Sequence, residues 1–329
     1  MKRRSLLGFA AAALAAPPSL FAQPGRVYRV GFLGVSMPTP EILRVSVEPL
    51  MQGLRDRGWI EGQNVVVEQR WAGGKSERFA PLAAELLQTK VDVIVTVSSE
   101  AALGVRKVTQ AVPIVATFLS DPINHGLIRS YARPGGNVTG LTSDAGGASL
   151  GAKALEYLKQ AVPDATRVAA LLNPTSAVAR ALLKQAESAA KSLQIELRPV
   201  EAAGPERLEG AFAEMKKHRA DALLVQADAM LFTQRARIGE LALRHRLPMS
   251  ATMPSFAEAG AMIAFVADFS ENYRRAAGYV DLILKGANPG DLPVDQPTRF
   301  QLTLNLKTAA ALGLKLPYQL LLRADRVIE

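Results

Sequence analysis

Cysteine is absent from all 329 residues, which excludes a disulfide framework, a thiolate nucleophile or ligand, and the lipid-anchored start of a bacterial lipoprotein. Histidine is scarce: His125, His218 and His245 are too scattered for a metal centre or a recognisable catalytic set. His218 and His245 sit near helix ends among basic neighbours, and only His125 falls near a strand end. There is no phosphate-cradling G-x-x-x-x-G-K, no G-x-S-x-G elbow and no H-E-x-x-H pair. "SAAK", Ser188 to Lys191, matches S-x-x-K in letters but lies within a predicted helix. These absences predict a protein that is not an enzyme and takes no cofactor or metal. Past the amino terminus no apolar run approaches the roughly eighteen residues of a membrane helix.

The first twenty-two residues, "MKRRSLLGFAAAALAAPPSLFA", read as an export signal. Lys2, Arg3 and Arg4 form its positive start, Leu6 to Ala16 an apolar run too short to span a bilayer, and Ala22 the end of a cleavage site. Arg3 and Arg4 before Ser5, Leu6 and Leu7 suit a twin-arginine signal, and an ordinary secretory signal fits equally. The expected product is a periplasmic protein, not embedded in the membrane and acting as a monomer. Removing the three leading basic residues lowers Lys plus Arg from 39 to 36 against 30 acids, so the formal charge falls from +9 to +6. The basic residues are spread over helical patterns without an aromatic-interleaved stripe, which speaks against nucleic acid as a partner.

From Val27 onward short β-rich runs alternate with helix-length amphipathic segments, the pattern of parallel sheets covered by helices. Five strand-like runs lie at residues 27–35, 64–71, 91–97, 113–118 and 137–142, and five more at 167–173, 195–201, 221–228, 247–252 and 261–268. Between the first runs, Phe79, Leu82, Ala83, Leu86 and Leu87 recur at helical spacing; in the second set Leu182, Leu183, Ala186, Ala190 and Leu193 do the same. Pro49 requires the helix around it to begin near Glu48 or to kink. Two five-strand units in tandem predict two similar Rossmann-like α/β lobes joined by crossing segments. A helix at 270–285, the Pro/Gly-rich 286–297, a last strand and a docked tail complete the chain. The first lobe is expected to hold residues 27–142 plus about 269–297, and the second 143–268 plus part of 298–329.

In open parallel sheets, ligands sit beyond the carboxyl ends of the strands, where helix N-termini present free amides. Those ends carry Ser36, then Ser98 and Ser99, then Ser120 and Asp121 in the first unit, and Asn173 to Ser176, Asp228 and Thr252 in the second. Each of these residue types also caps helices with no ligand involved. As a set on one face of both units they favour a small polar solute. Asp121 and Asp228 suit an ammonium group, and the hydroxyls and amides around Ser98 and Ser99 suit a carboxylate, together the requirements of an amino acid.

The stretches "GLRDRGWIEGQNVVVEQRWAGG", "VPIVATFLSDPINHGLIRSYARPGGNVTGLT", "LPVDQPTRFQLTLNLKTAAALGLKLP" and "LLLRADRVIE" resemble the substrate-binding proteins of ABC importers, in the tryptophan/tyrosine transport-like family. The resemblance runs from about Val30 to the end. It implies the type I periplasmic binding protein fold, two α/β lobes closing on a solute, and an ABC permease with its ATPase as partner. It also implies that Ser120 and Asp121 lie at the cleft edge, that Ser98 and Ser99 stand at a polar triplet of the family, and that Asn173 to Ser176 form its "NP" loop. Around Asp228, "QADAMLF" keeps only the acid of the family's "TDN". Tryptophan or tyrosine would want an aromatic box, and near these loops only Phe118 and Phe232 stand, both read as core. Branched-chain acids and other small carboxylated metabolites therefore stay open beside aromatic ones. A binding protein that feeds a sensory receptor would need the same ligand-stabilised closure.

Overall fold

A computed structural model describes residues 26–143, 149–176, 178–253 and 255–329. The export signal read at residues 1–22 lies outside them. The first unit runs β1 (Tyr28–Gly34), α1 (Pro40–Val45), α2 (Val47–Arg55), β2 (Val65–Trp71), α3 (Phe79–Gln88), β3 (Val93–Ser98), α4 (Ser99–Arg106), β4 (Ile114–Leu119) and β5 (Val138–Thr142). The second runs α5 (Leu150–Ala161), β6 (Arg167–Leu172), α6 (Ala179–Ser192), β7 (Glu196–Glu201), α7 (Leu208–Lys217), β8 (Ala222–Val225), α8 (Ala229–Thr233), α9 (Arg235–Arg244), β9 (Met249–Ala251) and β10 (Ile263–Ala267). Then come α10 (Phe269–Leu284), β11 (Phe300–Asn305), α11 (Leu306–Leu312), α12 (Tyr318–Leu321) and β12 (Arg326–Ile328).

The first sheet has the order β2-β1-β3-β4-β5, all parallel. Within the second sheet, β7-β6-β8-β9-β10 repeats that order, so the tandem units foreseen from the sequence share one doubly wound topology. Alternation along the strands explains the layers. Val30, Phe32, Val93 and Val95 face α2 and α10, while Leu33 and Ile94 face α3 and α4. In the second sheet Leu223 and Val225 face α7 and α9, and Ala222 and Leu224 face α5 and α6. Helix α2 starts at Val47, after the irregular backbone of Ser46, so Pro49 falls in the first turn, where its missing N–H leaves no bond unmade.

Among the described residues one strand pair is antiparallel, β10 with β11, a departure from a purely parallel reading. Strand β10 ends at Ala267, the chain enters α10 against the first sheet, and it returns at Phe300, the register partner of Ala267. Leaving and re-entering on the same side forces opposite directions. The two passages are tied where Asp268 N donates to the Arg299 carbonyl, 3.0 Å. On its way back the Pro/Gly-rich segment covers the edge of β5: Thr142 N donates to the Asp295 carbonyl at 2.8 Å, and Thr139 Oγ1 to the Leu292 carbonyl at 2.8 Å. At Gly140 a side chain is impossible, since its Cβ would lie 2.0 Å from the Ala116 carbonyl oxygen on β4.

Candidate ligand-binding site

Between the sheets, beyond the carboxyl ends of β1, β3, β4, β8 and β9, lies a cavity of about 150 Å³, roughly ten times the space that one buried water needs. It is therefore a place for a small solute and not a hydration pocket. Both switch points of the sheets open onto it, through Gly34 to Ser36 after β1 and Gln226 to Ala229 after β8.

The wall from the first lobe is aromatic. Phe118 stacks on Phe269 with ring centroids 4.0 Å apart, Tyr273 meets Phe118 edge-on at 6.3 Å and Phe32 at 6.0 Å, and Phe32 continues to Trp71 at 5.2 Å. All five line the cavity. Gly34 makes the end of this row possible: a Cβ there would lie 2.1 Å from Trp71 Cε3, so only a bare backbone lets the indole lie across β1. Burial pushes the Tyr273 phenol well above its usual range, which keeps it neutral as a wall. The sequence reading of Phe118 and Phe232 as core holds, since each packs in the hydrophobic core of its own lobe. Both are buried and both line the cavity. Trp71, Phe269 and Tyr273 were missed because β2 and α10 are remote in sequence from the polar strand ends. The available signal was Trp71 as the last residue of its strand.

From the second lobe come one aromatic ring, Phe232, and a polar group of Ser149, Gln185, Gln226, Asp228 and Thr252. Asp228 caps α8, accepting from Leu231 N at 2.8 Å, and accepts from Asn173 Nδ2 at 3.2 Å. Burial raises its pKa above 3.8, while these hydrogen bonds work in the opposite direction. Glu100, in the first turn of α4 and also buried, is the first lobe's carboxylate in the lining. Among the described residues that line the cavity there is no Lys, Arg or His. An anionic part of a solute would therefore have to meet hydroxyls and amides, whereas a cationic part would meet two carboxylates.

Of the residues picked from sequence, the structure brings Ser36, Ser98, Ser120, Asp228 and Thr252 together in the lining. The other four lie behind or beside it. Ser99 Oγ donates to the Ser120 carbonyl at 2.8 Å and accepts from Ser120 N at 3.0 Å, fixing the loop that presents Ser120. Asn173 is buried and steadies Asp228, with its Oδ1 accepting from Thr175 N and Oγ1. Ser176 is buried with Oγ accepting from Val178 N at 3.4 Å. Asp121 is partly exposed in a left-handed turn (φ 45°) and accepts from Asn124 Nδ2 at 2.7 Å. His125 Nδ1 is 3.1 Å from the Ser120 carbonyl, and its ring stays outside the lining.

A family model described as ABC transporter substrate binding protein matches residues 40–328. The chain is 24% identical over 265 residues to the tyrosine-binding protein of Clostridioides difficile, a match covering 80% of this chain and 75% of that one. Among solved structures, a conserved domain protein from Vibrio cholerae has a TM-score of 0.84 at 24% identity. The ABC domain in complex with L-Trp from Streptococcus pneumoniae has a TM-score of 0.83 at 21% identity. Each of these two covers 92% of this chain and 100% of the other. At such identity they speak to the fold, the two-lobed type I periplasmic binding protein architecture.

Proposed function

The chain belongs to the ABC transporter substrate binding protein family, and we propose that it captures an aromatic amino acid in the interlobe cavity and delivers it to a membrane permease. The observation that carries this reading is the pairing of a continuous aromatic wall with two carboxylates and no cation among the described lining residues. A planar side chain lies along Trp71, Phe32, Tyr273, Phe118 and Phe269, where offset and edge contacts add to the burial of its area. The ammonium group is held by Asp228 and Glu100, which accept charge-assisted hydrogen bonds. The carboxylate is taken by the hydroxyls of Ser98 and Ser120, at the ends of β3 and β4, and of Ser149, where α5 begins. Ser99 and Asn173 position these groups without touching the solute. Asp121 has no part in this arrangement.

In this reading the lobes divide the chain at residues 27–142 with about 269–297, and about 143–268 with part of 298–329. Residues 1–22 direct export to the periplasm, and the protein works there as a monomer without catalytic activity. Open lobes admit the solute, aromatic and polar groups replace its hydration, and the closed form docks on the permease. The relatives' tyrosine and L-Trp, as their names give them, support the choice of solute class.

The test is a melting-temperature screen of the mature chain, unfolded and refolded to strip any carried solute, against aromatic, branched-chain and acidic amino acids, sugars and small carboxylates. A solute at about a thousand times its dissociation constant adds about 4 kcal/mol, a shift of several degrees in a protein of this size. A shift confined to tryptophan, tyrosine or phenylalanine is expected. Equal shifts with leucine or glutamate, or a shift with a sugar alone, would sink the aromatic assignment.

A further inference from the structure

The lobes also meet outside the cavity lining. Glu41, in the first turn of α1, accepts a hydrogen bond from Ser255 Oγ on the far lobe, and its carboxylate lies 3.7 Å from Arg235 Nη2 at the start of α9. Arg235 is tied to the cavity wall: its guanidinium carbon stands 4.7 Å from the centroid of the Phe232 ring, and Nη1 donates to the Phe232 carbonyl at 3.2 Å. Ser255 holds a left-handed backbone (φ 60°), which residues with a Cβ seldom adopt. The next residue of α1, Ile42, packs against the core of the second lobe.

A second contact lies beside this one. Gly74, after β2, passes so near α8 that a Cβ would sit 2.6 Å from Thr233 Cγ2 and 3.1 Å from the Ala229 carbonyl oxygen, and Ala229 in turn packs into the core of the first lobe. Neither contact survives separation of the lobes. Both join one lobe to the other, and neither Glu41 nor Gly74 lines the cavity.

We propose that Glu41, with Arg235 and Ser255, is a latch that sets how long the closed lobes hold a solute that Glu41 never touches. This rests on the reading above that a solute enters and leaves between the lobes. Because the latch is made when the lobes close and broken when they open, it favours the closed population and slows opening, so its effect on a bound solute falls on the dissociation rate. The side chains of Glu41 and Arg235 remain 42% and 25% exposed, so the pair is partly screened and its effect is about two- to fivefold.

The absence of cysteine allows a clean measurement. Spin labels on Gln110→Cys and Glu206→Cys, exposed positions one on each lobe, report the interlobe distance by pulsed resonance, without solute and with saturating L-tryptophan. Glu41→Arg is expected to shrink the short-distance population by about two- to fivefold, and Glu41→Arg with Arg235→Glu to restore it. In 1 M salt the unaltered latch should weaken toward the Glu41→Arg value. Identical distributions in all three proteins would overturn the latch, as would a charge swap that restores nothing. So would a protein with unaltered Glu41 and Arg235 whose melting temperature rises with L-tryptophan but which still lacks a short-distance population. Failure of L-tryptophan to raise the melting temperature would count against the solute assignment alone, and the distances are then compared with whichever solute in the screen does raise it.

Discussion

The two sheets repeat one strand order, yet their cleft ends are furnished differently. The first lobe presents five aromatic rings, drawn from β1, β2, β4 and α10, and a single carboxylate, Glu100. The second presents Asp228, two glutamines, Ser149 and Thr252 with one ring, Phe232. A shared topology therefore fixes where a site lies, and the loops decide what each half of it does. The aromatic half is preorganised by ring-to-ring packing and by Gly34, whereas the polar half is preorganised by hydrogen bonds from Asn173 and the α8 amides to Asp228. An amphiphilic solute needs both, and each half can be damaged separately.

The largest effect is expected from the charge of the second lobe. Asp228→Asn keeps an acceptor for Leu231 N but removes the negative charge, and should weaken binding by about ten- to hundredfold, read by calorimetry. Retained affinity would break the assignment of ammonium to this lobe. The same residue gives a pH signature of known sign. Burial raises its folded pKa above 3.8, so the folded empty protein takes up a proton more readily than the unfolded chain. The contribution of Asp228 to stability is fullest below 3.8 and is lost as pH rises through the raised value. Bound ammonium favours the charged carboxylate, so affinity should fall as pH drops through that window while the contribution of Asp228 to the stability of the empty protein rises. Denaturant titrations across pH, compared with Asp228→Asn, check both signs.

The next effect belongs to the first lobe. Trp71 ends the edge strand β2 and is only partly buried, so Trp71→Ala should leave the fold intact and cost about tenfold in affinity for aromatic solutes. The loss should be much smaller for leucine, which would sharpen the contrast between the halves. A uniform loss over all solutes would instead mean that Trp71 only closes the cavity. Asn173→Ala acts through Asp228 and is expected to weaken binding by about threefold, with the loss greatest for solutes carrying the ammonium group.

The two parallel sheets and most element positions were legible because hydrophobic period and turn residues act locally: runs such as "VDVIVTV" and "RVAALL" announce strands buried in a parallel sheet. The polar strand ends were legible for the same reason, and five of the nine residues chosen there line the cavity. What sequence did not give is direction. Ser99, Asn173 and Ser176 have the chemistry of ligand contacts but turn to backbone or to Asp228, a choice made by rotamer and packing. The aromatic wall was hidden because it is assembled across more than two hundred residues, from Phe32 to Tyr273, and a ring in a strand or helix reads as core from its local pattern alone.

Asp121 offers the smallest expected effect and, set beside Asp228, the narrowest version of the comparison, since both are acids just past a strand end. They differ in what surrounds the carboxylate. Asp228 is buried, in the cavity lining, with a raised pKa. Asp121 is partly exposed, outside the lining, and its carboxylate is already engaged by Asn124 Nδ2 at 2.7 Å. Its φ of 45° makes alanine a poor probe, because the backbone strain would be mixed with the loss of charge. Asparagine tolerates that conformation, so Asp121→Asn removes the charge with little else. If only the lining carboxylates hold the ammonium group, affinity should stay within about twofold, because a charge screened by solvent acts weakly at a distance. A loss of tenfold or more, measured beside Asp228→Asn, would mean that the bound state recruits the Asp121 turn into the cavity and that Asp121 shares the charge recognition here given to Asp228 and Glu100.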